Sequence, residues 1–266
     1  MRFLMNLFMA IALAAVAHGE TVSAPESEVS KAFSGRNGSL VIIDCTSGTT
    51  STFGPQSAAV RITPCSTFKI WNTLFGLEAG IISSSEQPFY KWDGQKRSIA
   101  AWNKDLTLRE AFQASCVPAF QNLARQIGVE RMQDWIDKIE YGDRDTSAGI
   151  DVFWLPAKGR KPILISPTEQ AQLLNKLVTG KLPFSRISLA VLKDLMTVRK
   201  TDKGTLFGKT GSGTDDEGTY VLGWFVGYVE SGGKTYAFAC AAQGENIMSK
   251  DARDIVETVM ESRGLL

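Results

Sequence analysis

Ser66 and Lys69 stand three residues apart in Ser66-Thr67-Phe68-Lys69, at the head of a pattern that predicts a helix from about Ser66 to Glu78, closed by Gly80. That spacing puts the hydroxyl and the amine on one helix face, one turn apart. At a helix start the free N–H groups and the helix dipole favour developing negative charge. Phe68, Ile70 and Trp71 make the neighbourhood apolar. Burial there favours the neutral amine, and a neutral lysine can take a proton from serine. The pair is therefore a nucleophile and base that needs no histidine. Alone it is a weak signal, since S-x-x-K arises about once by chance in a chain of this length. It recurs at Ser231–Lys234, where Gly232-Gly233 reads as a hairpin turn.

Two further phrases can join that chemistry. Lys209-Thr210-Gly211 closes the run Thr205–Thr210, which predicts a strand. A lysine, a hydroxyl and an unhindered backbone fit a carboxylate lying beside a sheet edge. The tripeptide is rarer, expected on the order of 0.1 times by chance. Ser115-Cys116-Val117 falls in a helical pattern, Leu106–Ile127, that Pro118 interrupts. A hydroxyl at Ser115 could relay a proton between Lys209, Ser66 and a leaving nitrogen. Each phrase also has a plain structural reading: a helix cap, a strand exit, a helix interior.

What the chain lacks narrows the choice. Residues 1–19 read MRFLMNLFMAIALAAVAHG: Arg2, an apolar run from Phe3 to Val16, and the small-residue exit Ala17-His18-Gly19. This predicts a secretory signal peptide, since a membrane span needs ~20 apolar residues. His18 is the only histidine and leaves with it, which excludes a Ser-His-Asp triad, a Cys-His pair and a histidine-ligated metal site. Export permits disulfides among Cys45, Cys65, Cys116 and Cys240, in any of three complete pairings. Cys45–Cys65, both in the first third, is the pair to test first; small buried thiols are the plain alternative. There is no CxxC. A net charge of +1 over 266 residues gives no field to draw nucleic acid or an anionic membrane. The composition, 44 % hydrophobic and 21 % charged, is that of a folded globular protein.

The elements must bring these phrases together. Ser39–Cys45 reads as a strand, Thr46-Ser47-Gly48 as a turn and Thr49–Phe53 as a returning strand. Helical periodicity follows in Leu106–Ile127, Arg131–Ile139 and Pro167–Val178, the last capped by Ser166. Beyond about residue 204 the period becomes two. Tyr220–Glu230 and Thr235–Ala242 form a hairpin, and Asp251–Ser262 a closing helix. Residues 20–266 then make one domain. Its mixed α/β part spans about 20–65 and 200–266, and its helical part about 66–200. This is an α+β class: an antiparallel sheet from both termini with an inserted helical lobe.

Taken in order, these phrases resemble the class D (oxacillinase-type) serine β-lactamases over nearly the whole chain after residue 19. Ser66-Thr67-Phe68-Lys69 matches the family's STFK, Ser115-Cys116-Val117 its Ser-x-Val, and Lys209-Thr210-Gly211 its KTG. Phe153-Trp154-Leu155 matches FWL, Tyr141-Gly142-Asp143 resembles Tyr-Gly-Asn, and Gly223–Glu230 is similar to the strand after KTG. The resemblance implies the serine β-lactamase/penicillin-binding transpeptidase-like fold and an exported, periplasmic hydrolase of β-lactam antibiotics that confers resistance. It implies that Ser66 forms an acyl-enzyme and that Lys69, as a carbamate made with carbon dioxide, is general base. Trp154 would donate its indole N–H to that carbamate, and Val117 and Phe68 would keep the site dry. The amides of Ser66 and Ser212 would form the oxyanion hole, with Ser115 in the proton relay. Lys209, Thr210, Gly211 and Arg253 would bind the substrate carboxylate. No metal or other cofactor is implied, and both a monomer and a homodimer are compatible. Asp143 departs from the family's Asn, with loop shaping as its expected role. The competing readings are a β-lactam sensor domain, fused in such proteins to a membrane segment, and a cell-wall transpeptidase, which carries Ser-x-Asn.

Overall fold

A computed structural model describes residues 26–266. The expected signal peptide, with His18, lies outside the described residues. The chain opens with helix α1 (Glu26–Phe33) and strands β1 (Asn37–Asp44) and β2 (Thr50–Phe53). Helix α2 (Pro55–Ala59), a 3₁₀ turn at Cys65–Phe68 and helix α3 (Lys69–Glu78) lead into the helical part. That part holds a small two-stranded sheet, β3 (Pro88–Tyr90) with β4 (Leu106–Thr107). Its remaining helices are α4 (Leu108–Gln113), α5 (Val117–Ile127), α6 (Val129–Lys138), α7 (Pro167–Val178) and α8 (Arg186–Met196). The chain then returns through β5 (Thr197–Lys200), β6 (Gly204–Thr214), β7 (Tyr220–Ser231) and β8 (Lys234–Gln243), and ends in α9 (Ser249–Ser262).

The large sheet is antiparallel, in the order β2-β1-β8-β7-β6-β5. β1 pairs with β8 from Asn37↔Gln243 to Asp44↔Tyr236, so the two ends of the described chain share one sheet. The apolar run of β1 is continuous because the sheet is covered on both faces. Leu40 and Ile42 pack with Val256 and Val259 of α9, whereas Val41 and Ile43 face the helical side. The β7–β8 hairpin turns on Gly232-Gly233, at φ 56° and 76°, left-handed values at which a side chain would be strained. Ser231 pairs with Lys234 across it, so the second S-x-x-K is a turn.

Two expectations are corrected. The pattern Leu106–Ile127 is not one helix: Ser115 takes φ 53° and separates α4 from α5, with Pro118 in the first turn of the second. Apolar spacing runs in phase through the break, which hid it. Lys209-Thr210-Gly211 does not end its strand, because β6 continues to Thr214 with Gly213 opposite Leu222. The four cysteines are free thiols, three of them buried, which is the plain reading rather than a Cys45–Cys65 bridge. Cys45 lies where its N–H bonds Thr235 at the end of β8, while Cys65 is buried in the 3₁₀ turn. Sequence reading also passed over α1, α2 and β5.

Candidate active site

The turn that presents Ser66 is pinned from several sides. Cys65 adopts φ 51°, a left-handed value costly for a residue with a Cβ, and is fully buried. Thr67 Oγ1 donates to Pro64 O at 2.7 Å and accepts from Gln170 Nε2 of α7 at 2.9 Å. From the sheet, Trp224 Nε1 donates to Thr63 O at 2.9 Å. Ser66 itself stays half-buried at the entrance to α3.

Lys69 is the first residue of α3 and is 0 % exposed. Its Nζ lies 2.7 Å from Ser66 Oγ. No carboxylate pairs with it among the described residues. Burial, then the nearby charge of Lys209, holds its pKa well below the ordinary lysine value. The wall around it is aromatic. Phe120 lies 5.5 Å from Nζ, and Phe68 stacks on Trp154 and meets Tyr141 and Phe153 edge-on. Trp154 is fully buried, and its Nε1–H has no hydrogen-bond partner among the described residues. A buried unpaired donor costs roughly 1–3 kcal/mol. Trp154 stacks on Phe68, one residue before Lys69, so this orphaned N–H lies in the same aromatic wall.

Lys209 projects from mid-strand in β6. Its Nζ is 3.0 Å from Ser115 Oγ and 3.0 Å from Thr210 O, over the ring of Phe112 at 5.6 Å. It is 4 % exposed, and burial lowers its pKa to about 7. The left-handed backbone at Ser115 turns that hydroxyl out of the helix pattern toward the sheet. Each lysine therefore holds one serine hydroxyl. Val117, half-buried, opens α5 beside them.

β5 starts opposite Phe207, so β6 from Gly208 to Thr214 has no strand on that edge. The Ser66 turn packs there. A Cβ on Gly211 would come within 3.1 Å of Ser66 N and 3.2 Å of Pro64 O. A side chain there would push the Ser66 turn off the strand by a few tenths of an ångström. Ser212 Oγ accepts from Ser249 N at 3.0 Å, tying β6 to the start of α9. One open cleft is lined by Phe112, Gln113, Gly208, Lys209, Thr210 and Arg253. Arg253 reaches it from α9 and bonds Glu257 Oε1 through Nε at 2.5 Å. Phe112, Gln113, Phe120 and Glu257 were not singled out from sequence. The i,i+4 spacing of Arg253 and Glu257 was the one available signal for the last.

Asp143 lies apart from this cluster. Its Oδ1 accepts from Leu164 N at 2.9 Å and from Asp145 N at 3.3 Å, so it shapes the loop after Tyr141. Among the described residues no cluster of histidine, cysteine or acidic side chains could hold a metal, and no helix is long and apolar enough to cross a membrane.

The chain matches the penicillin-binding-protein transpeptidase domain over residues 13–261. It is 37 % identical over 232 residues to β-lactamase OXA-10 of Pseudomonas aeruginosa, covering 86 % of this chain and 85 % of that one. A class D β-lactamase from Bacillus subtilis superposes with a TM-score of 0.83 at 34 % identity, over 91 % of this chain and 99 % of that one. The C-terminal domain of the BlaR penicillin-receptor of Bacillus licheniformis superposes with a TM-score of 0.82 at 28 % identity, over 90 % of this chain and 96 % of that one.

Proposed function

Because this chain belongs to the penicillin-binding-protein transpeptidase family and, within it, to the class D β-lactamases, it is a β-lactam hydrolase, and we propose that Ser66 and Lys69 carry its chemistry. The observation that carries this reading is the 2.7 Å contact between Ser66 Oγ and a fully buried amine with no counter-ion among the described residues. Burial pushes a lysine so placed toward its neutral form, which can accept the hydroxyl proton.

Ser66 Oγ attacks the lactam carbonyl carbon as its proton passes toward Lys69. The developing oxyanion is held by the amides of Ser66 and Ser212, in the gap that Gly211 leaves beside Ser66 N. The C–N bond then breaks, and the leaving nitrogen takes a proton through Ser115, whose hydroxyl is 3.0 Å from Lys209 Nζ. Thr210 and Arg253, on the cleft, bind the substrate carboxylate, with Lys209 adding charge while it is protonated. A water then cleaves the ester and regenerates Ser66. Lys69 would hold carbon dioxide as a carbamate, with Trp154 Nε1 as its donor and Phe68 and Val117 excluding water. That adduct supplies a carboxylate base in the same dry pocket. The reaction uses no metal. The leader at residues 1–19 sends the protein to the periplasm, where hydrolysis protects the cell from β-lactams.

The test is to mix purified protein with excess benzylpenicillin, with and without bicarbonate, and follow ring opening and intact mass. Many turnovers, faster with bicarbonate, are expected. One equivalent consumed, with a stable adduct on Ser66, would instead indicate a receptor like the BlaR domain. Turnover indifferent to bicarbonate would remove the carbamate.

A further inference from the structure

Arg253 does not lie free on the cleft. Its Nε donates to Glu257 Oε1 at 2.5 Å, one helical turn on in α9. The other carboxylate oxygen, Oε2, faces Arg199 Nη1 of β5 at 3.3 Å, and the same Nη1 bonds Glu261 Oε1 at 2.5 Å. Glu257 is thus clamped between the last helix and the edge strand, with its side chain 20 % exposed. A guanidinium offers two flat two-point edges, Nε with one Nη, and the pair of Nη groups. Glu257 occupies Nε. Among the described residues nothing bonds Arg253 Nη1 or Nη2, and Arg253 lines the cleft beside Lys209 and Thr210.

We infer that Glu257 is a positioning residue for substrate recognition. It fixes the Arg253 guanidinium so that its Nη edge faces the cleft, and Arg199 fixes Glu257. The ligand concerned is the carboxylate of the β-lactam, so the inference rests on the role of Arg253 stated above. The geometry answers a real cost. An arginine 41 % exposed on a helix would sample many rotamers, and freezing it at binding costs side-chain entropy. The ion pair orders it beforehand. Arg199 also offsets the charge of Glu257, which would otherwise repel the arriving anion.

Positioning and simple charge predict opposite signs. Removing an acidic group near an anion site lowers KM by electrostatics alone, whereas losing the anchor of the arginine raises it. Glu257→Ala is expected to raise KM for benzylpenicillin about tenfold with kcat within about twofold, and Glu257→Gln, which keeps an acceptor for Nε, about threefold. In an Arg253→Ala background Glu257→Ala should have no further effect. Hydrolysis of the methyl ester of benzylpenicillin, which lacks the carboxylate, should not respond to Glu257→Ala. A normal or lowered KM in Glu257→Ala, or an equal rise for acid and ester, overturns the inference while Arg253→Ala still raises KM for the acid. An unchanged KM in Arg253→Ala instead overturns the carboxylate role of Arg253 itself.

Discussion

The two sides of the cleft hold their cationic side chains by opposite means. On the helical side Lys69 is fully buried under Phe120, next to the Phe68–Trp154 stack, and has no carboxylate partner among the described residues. On the sheet side Arg253 is half-exposed and tied to Glu257. The lysine we propose as base is placed where charge is expensive; the arginine we propose as anion binder is left near water with an acidic anchor. Lys209 stands between them, dry like Lys69 yet at the mouth with Arg253, and its pKa near 7 leaves it able to switch. Residue type follows the same division. Arginine cannot be deprotonated in a protein, and lysine can.

Removing the base is the largest perturbation of the helical side. Lys69→Ala should lower kcat/KM for benzylpenicillin by about 10³-fold or more, the range for loss of a positioned base. Far-UV and near-UV dichroism will show whether the fold survives an apolar substitution at a buried charge site. A variant within tenfold of the parent would show that the dry amine is not the base. Trp154→Phe asks a finer question. Phenylalanine keeps the stacking on Phe68, at 5.6 Å between rings, but removes the orphaned N–H. The expected loss is about 10²-fold in kcat, comparable with removing one oxyanion donor, together with a higher bicarbonate requirement. An unchanged bicarbonate response would leave the indole a packing residue.

The same division explains what was legible in the sequence. The helical side declared itself. Ser66 and Lys69 sit one turn apart, and apolar neighbours at 68, 70 and 71 announce a dry site before any coordinates exist. The inner strands β1, β7 and β8 were readable too, because each carries a long apolar run, whereas the short edge strand β5 was passed over. The break at Ser115 was obscured because the apolar residues on either side keep helical phase, and only Pro118 marked it. The true extent of β6 past Gly211 was obscured by Gly211 and Gly213, which weaken a strand signal but are needed where the nucleophile turn packs against the strand. Glu257 could not be assigned at all. An i,i+4 ion pair looks the same on any solvated helix, and only the position of α9 beside the cleft distinguishes it.

The buried lysines also give a pH signature. Lys209 has its pKa lowered to about 7 by burial, against an ordinary 10.5, and Lys69 is shifted in the same direction. Between those values the unfolded chain binds more protons than the folded one, so stability rises with pH across this alkaline window. Below about pH 7 Lys209 is protonated in both states and contributes no further change. The slope from one such group is at most about 1.4 kcal/mol per pH unit. Urea unfolding in carbon-dioxide-free buffer at pH 7, 8 and 9 should show the parent gaining stability relative to Lys209→Met. Parallel curves for the two proteins would mean that Lys209 stays charged when folded.

The smallest expected effect separates the two sides without any mutation. Screening acts on exposed charges and barely on buried ones, with a Debye length of about 10 Å at 0.1 M salt falling to 3 Å at 1 M. Arg253 faces water across an open cleft, whereas Lys69 is sealed. Raising salt from about 0.05 to 0.5 M should therefore raise KM for benzylpenicillin by about two- to threefold and leave kcat unchanged. In Arg253→Ala the salt dependence of KM should flatten, because the cation being screened is gone. A fall in kcat with salt would place screened charge inside the chemical step, which the dry environment of Lys69 does not allow. A steep KM dependence that survives Arg253→Ala would move the anion-binding charge to Lys209, and the division between the two sides would then run through β6 rather than between β6 and α9.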